Sequence, residues 1–304
     1  MKLKYYLEQL EYNDIPDFLI KYLKVPVLLR LKNVGYFCGM DYASKDIYNF
    51  SEHISRYDHS LTVALIVYKL TKDKKMTLAG LFHDIATPCF SHVIDYMNED
   101  YSKQESTEEF TEFILRKDSY LKKCLEEDNI NIEDIINYKN YPIVDNERPK
   151  LCADRLDGVI LTGISWTKDI DKESIKNIVQ DIKILKNEDN EDEIGFKHES
   201  IAKKVLEVSE NIDIYCHSNE DNYMMQLLAE LTRLAINKKY ITYDELYLLN
   251  EKVIFNTFKF VNDKNIHVLL NEFENKKMDE IPKIEMPYIK KRDLNPLVNG
   301  KRLK

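Results

Sequence analysis

The chain has 304 residues, of which 44% are hydrophobic and 32% charged, and its formal net charge is −9. That balance provides a sizeable core and excludes wholesale disorder. The negative charge excludes extended nucleic-acid binding driven by counterion release, although a local Arg/Lys pocket can still hold a small anion.

From the amino end, MKLKYYLEQLEYND lacks an apolar stretch of signal-peptide length, and no run approaches the ~20 apolar residues of a membrane span. Cys38, Cys89, Cys124, Cys152 and Cys216 lie far apart without a CxxC pair. The expectation is a soluble cytoplasmic protein with reduced thiols, neither zinc-knuckle nor disulfide-framed. Residues 1–50 carry short helical patterns broken by Pro16 and Pro26. Leu61, Ala64, Leu65, Val67 and Tyr68 then predict a helix from Asp58 to Leu70. The turn TKDKK leads into a second apolar helix, MTLAGLFHDIA. Thr87 as cap and Pro88 at the first position predict a further short helix to about Met97.

Ser102-Lys103-Gln104-Glu105 reads as a capping box, and residues 150–164 as an amphipathic helix carrying Asp154, Arg155 and Asp157. In IKILKNEDNEDEIGFKH two β-prone runs flank an acidic turn, the one good hairpin signal. Helical patterns resume at 199–211, 221–238, 243–261 and 264–275, before a basic tail, KKRDLNPLVNGKRLK, expected at the surface or in an oligomer contact. Glu220-Asp221 reads as part of a solvated loop, and Tyr243 and Tyr247 as core. The fold class is mainly α, a helical bundle with a small peripheral β-hairpin. Residues 1–175 would form the core with the N-terminal helices, and residues 176–304 a hairpin and helical extension packed on the same domain.

His59 lies near the start of one helix and His83-Asp84 at the end of the next, across a short connection. Adjacent helical residues point about 100° apart, so a His-Asp pair can straddle a metal from one helix end. A carboxylate from a distant helix would close the site, and Asp154 is the candidate. Two imidazoles and two carboxylates suit one divalent ion such as Mn, Fe, Ni, Zn or Mg. His92 and Asp95, three apart on one helical turn, fit a proton carrier with its orienting carboxylate or a core histidine satisfied by its neighbour.

The order H…HD…D at His59, His83-Asp84 and Asp154 resembles the HD-domain phosphohydrolase superfamily. The flanks RYDHSL and HDIATPCFSHVID resemble its dNTP triphosphohydrolase branch, as does PVLLRLKNVG, and the likeness covers residues 15–165. QESTE and ADRL resemble segments of bacterial HD proteins without an assigned substrate. The resemblance implies a helical HD bundle with His59, His83, Asp84 and Asp154 as metal ligands. It implies Arg56 and Arg155 as phosphate contacts, His92 and Asp95 as catalytic residues beside the reacting phosphate, and Gln104-Glu105 in a substrate-binding position. Four positions depart from the branch: Thr87 replaces a His, Gln104 the His of an H-E pair, Gly158 a Tyr and Thr162 an Asp. The expected function is a metal-dependent phosphohydrolase acting on a nucleotide or other phosphoester, the alternative a non-catalytic nucleotide or phosphate sensor. The expected partners are that substrate and a second copy of the chain in a homo-oligomer, with no membrane.

Overall fold

The computed structural model describes residues 1–100, 110–285, 289 and 291–304; the proposed capping box, with Gln104 and Glu105, lies outside these described residues. The fold is mainly helical, with a small four-stranded sheet at one side. No helix among the described residues is long and apolar enough to cross a membrane.

The element that anchors everything else is the helix Arg56–Thr71. Ser55 caps it: the Ser55 hydroxyl accepts from Asp58 N, and Asp58 Oδ2 accepts from Ser55 N at 2.8 Å. This reciprocal cap starts the helix two residues before the sequence pattern predicts, which brings Arg56 and His59 onto its first turn. Lys72, at φ 56°, ends it, and the Asp73 side chain caps the next helix, Lys74–Phe82. The two pack closely at Gly80, where a Cβ would lie 3.4 Å from Val63 and Val67 methyls. His83 follows directly as the C-terminal cap.

The expected helix from Pro88 is shorter than predicted: only Val93–Met97 is helical. Phe90 (φ 63°) and Ser91 (φ 46°) adopt left-handed backbone and hold a turn open before it. Buried Glu251, from the helix Glu251–Phe260, accepts from Phe90 N at 2.9 Å and secures that turn. The predicted 243–261 helix is two helices, Glu245–Leu248 and Glu251–Phe260, because the Asn250 side chain accepts from Val253 N and restarts the turn.

The hairpin forms as β1 (Ile182–Lys186) against β2 (Asp192–Phe196). It is extended by the tail, whose β3 (Leu297–Val298) pairs parallel to β2 and antiparallel to β4 (Lys301–Arg302). Gly195 permits this, since a Cβ there would meet the Leu297 carbonyl oxygen at 2.8 Å. Arg302 forks onto the buried Glu193 carboxylate at 2.6 and 2.8 Å. The tail thus pairs with the hairpin through β3 and β4, while Lys291, Asp293, Asn299, Gly300, Lys301 and Lys304 stay exposed.

Two apolar cores form. One joins the N-terminal helices to Arg56–Thr71, Lys74–Phe82, Ala153–Ser165 and Glu199–Cys216. The other gathers Met40, Tyr48 and Phe90–Tyr96 with Asn219–Asn237 and the last helices. Phe50 and Trp166 pack against both. Residues from both cores line the cavity described next.

Candidate metal centre and cavity

A cavity of about 710 Å³ opens along this seam, within the range of small-molecule sites. His59, His83, Asp84 and Asp154 all line it. His59 Nδ1 faces Asp157 Oδ2 at 2.7 Å, and His83 Nδ1 faces the Gly80 carbonyl oxygen at 2.7 Å. Both partners can only accept when Asp157 is ionised, so each Nδ1 carries the proton and each Nε2 presents a lone pair. These lone pairs converge on Asp154 Oδ1, 3.1 Å from His59 Nε2 and 3.5 Å from His83 Nε2. His83 Nε2 is buried and has no hydrogen-bond partner among the described residues.

Three acceptor atoms within 4.8 Å of one another need a cation or extra protons between them. In the metal-free protein that need appears as shifted proton affinities. Burial opposes charge on His59, but Asp154 and Asp157 outweigh it and raise its pKa to about 10. Burial likewise opposes the charged form of Asp84, yet His83, Arg56 and His59 hold it at about 2. The donor set therefore fits a divalent ion. Asp84 is the outer member: Oδ2 is 3.7 Å from His59 Nε2, Oδ1 is 3.8 Å from His83 Nε2, and Oδ2 also accepts from Arg56 Nη1 at 2.8 Å.

Arg56 is buried, bonded through Nε to Ser91 Oγ at 3.1 Å, and its guanidinium lies 4.8 Å from the Tyr36 ring centroid. His92 lines the cavity, and its Nδ1 is 2.8 Å from Asp95 Oδ2. Asp95 is fully buried behind it and is not among the described residues that line the cavity. Arg155 reaches the cavity wall, but its guanidinium is bonded to Lys150 O at 2.9 Å and to Asn146 O at 2.5 Å. It braces the 145–150 loop. Cys152, buried and held as a thiol with its pKa raised to about 12 by that burial, lies 3.7 Å from Asp145 Oδ1 and belongs to the same brace.

Of the departures, Thr87 is buried and outside the cavity lining; its carbonyl oxygen accepts from Arg30 at 2.7 Å. Gly158 lines the cavity, and a Cβ there would come within 3.0 Å of Tyr36 Oη. The Tyr36 hydroxyl thus comes against the position where the branch that the sequence resembles has a Tyr. Sequence reasoning passed over Tyr36, Asp157, Arg148, Asp221 and Arg292, all but Asp157 lining the cavity. Asp157 had a readable signal, three residues after Asp154 on one helix; the others arrive from loops and elements distant in sequence. Asp221, expected in a solvated loop, lines the cavity with its Oδ1 accepting from Tyr48 Oη at 2.6 Å.

Two similarities bear on this geometry. The chain is 27% identical over 146 residues, 48% of its length, to "Uncharacterized protein YdhJ" of Bacillus subtilis. It is 28% identical over 117 residues, 38% of its length, to "Metal-dependent phosphohydrolase cns2" of Cordyceps militaris. The aligned regions span 43% and 33% of those relatives. The sequence profile of the HD domain matches residues 56–162, the stretch that contributes all four converging side chains, and this part of the chain is an HD domain.

Proposed function

We propose that the chain is a metal-dependent phosphohydrolase acting on a nucleotide-like phosphoester. The observation that carries this reading is the convergence of two Nε2 lone pairs and the Asp154 carboxylate, one of those nitrogens buried and without a hydrogen-bond partner among the described residues, beside an arginine that lines the same cavity. The Cordyceps relative bears the name of the same activity. His59, His83 and Asp154 would hold the ion, with Asp84 completing the set. A divalent ion there polarises a phosphoryl oxygen and lowers the pKa of bound water.

The chain's own groups account for the rest. Arg56 is fixed by Asp84 and Ser91 through Nη1 and Nε, which leaves Nη2 without a partner among the described residues to meet a phosphate oxygen. The Tyr36 ring packs against the same guanidinium, and its hydroxyl would be a second donor in the cavity. With its Nδ1 proton donated to Asp95, His92 presents Nε2 as a base toward the attacking water.

Metal-stripped protein reconstituted with Mn, Co, Ni, Zn or Mg and offered a nucleotide panel tests this. Release of phosphate or triphosphate is expected from the wild type, and its loss together with bound metal from His83→Ala. A nucleotide that raises the melting temperature but is never consumed, with any metal, would replace the enzyme by a sensor.

A further inference from the structure

A line of rings runs along the cavity away from the metal centre. His59 lies 5.1 Å from Tyr36, Tyr36 lies 5.4 Å from Phe37, and Phe37 stacks on Phe50 at 4.3 Å and 10°. Phe50 in turn neighbours Tyr48 at 5.7 Å and Trp166 at 6.1 Å. Tyr48 delivers its only hydroxyl proton to Asp221. Imidazoles, carboxylates and Arg56 stand at one end of the cavity, and at the other an aromatic wall with the Asp221 carboxylate, which lies within electrostatic reach of Arg292.

Asp221 sits on the first turn of the helix Asn219–Asn237, where its backbone N–H is taken up by the Ser218 cap. Its Oδ2 receives no hydrogen bond or ion pair among the described residues. The metal-centre end already gathers the groups that would hold a phosphoryl group, whereas a wall of rings favours a flat π-system. A flat group pressed against the wall brings its edge to a carboxylate that can only accept.

We propose that the Trp166–Asp221 end of the cavity takes the aromatic heterocycle of the substrate, and that Asp221 selects it by accepting N–H donors from its edge. The inference deepens the phosphohydrolase reading, on which it rests for placing the phosphate at the opposite end. Guanine, with adjacent ring and amino N–H donors, is the strongest probe; uracil offers one such donor.

Trp166 is the single tryptophan of the chain and lines the cavity, so its fluorescence reports occupancy directly. The intact protein is titrated with guanosine, adenosine, cytidine and uridine, which lack the phosphate. Guanosine is expected to quench at the lowest concentration, and Asp221→Asn to weaken it about tenfold while uridine changes less, the scale of one good bidentate contact. Tyr48→Phe keeps the carboxylate and should keep the guanosine preference, which guards against a variant that merely misfolds. Equal affinity for all four nucleosides in the wild type, or an Asp221→Asn protein that retains the preference, would overturn the assignment. His83→Ala should leave nucleoside quenching intact. Guanosine preference without hydrolysis under any metal would sink the phosphohydrolase reading and spare this one; hydrolysis without base preference would do the reverse.

Discussion

Asp157 carries more of the candidate metal centre than its absence from the proposed ligand set suggests. The carboxylate is fully buried and accepts from Tyr6 Oη at 2.7 Å, Thr62 Oγ1 at 2.8 Å and His59 Nδ1 at 2.7 Å. Burial pushes its pKa up despite these partners, so the contact with His59 is what makes a charge tolerable there. In return it fixes the tautomer and the ring orientation of His59 and raises its basicity as a ligand. Asp157→Asn should lower metal affinity about 10- to 100-fold, the usual scale for an outer partner of a ligating histidine. Titration of metal-stripped protein with Mn or Zn reads this, and unchanged affinity would remove Asp157 from the site. The residues proposed to hold the ion announce themselves through the spacing of His and Asp along the chain. Tyr6, 151 positions from Asp157, carries no such mark, because only the packed fold makes it a neighbour. Tyr36 was hidden for the same reason: only the packed fold brings its hydroxyl against Gly158.

Among elements, the helix Arg56–Thr71 has the tightest link between local sequence and site, because its first turn bears both Arg56 and His59. Its start depends on Ser55, with Asp58 closing the box. Ser55→Ala should cost about 1 kcal/mol of stability, the ordinary value of a lost cap. A fall in metal affinity should accompany it, since fraying the first turn frees the His59 backbone. Denaturant midpoints and metal titration on the same sample check both, and an unchanged midpoint would contradict the capping argument. This helix, the one ending at His83 and the β1–β2 hairpin were legible from periodicity and turn chemistry. The turn after Pro88 was not: Phe90 and Ser91 in left-handed backbone are contrary to their intrinsic preference, and the distant Glu251 helps hold them there. The Asn250 cap was present in the sequence, and the apolar pattern running past it concealed the break. Pairing of β3 with β2 needed contact over about a hundred residues, beyond any local signal.

At the scale of the whole molecule, the site depends on how the two cores are joined, and Glu251 is one of the joints. It comes from a C-terminal helix, is 2% exposed, and binds the Phe90 N–H of the turn whose Ser91 holds Arg56. A Cβ on Gly35 would lie 3.1 Å from its Oε2 and 2.9 Å from Asp41 Oδ2, so the first half of the chain closes over it from the other side. Burial raises the Glu251 pKa from 4.5 to about 7, against the lowering effect of the Gly35 and Phe90 N–H groups. A carboxyl with a higher pKa folded than unfolded binds more protons in the native state. Its contribution to stability is full below about pH 4.5 and is lost as pH rises through about 7. Asp221, raised from 3.8 to about 6 by its own burial, acts in the same direction over a lower window. Glu251→Gln keeps an acceptor for Phe90 N–H and removes the ionisation. Measured by denaturant midpoint from pH 4 to pH 8, its stability should decline less than that of the wild type between pH 4.5 and 7. Asp221 would account for a remaining slope in the lower part of that window. Parallel curves for the two proteins would mean that Glu251 has the same pKa folded and unfolded, and that the N–H groups it accepts from offset the cost of its burial.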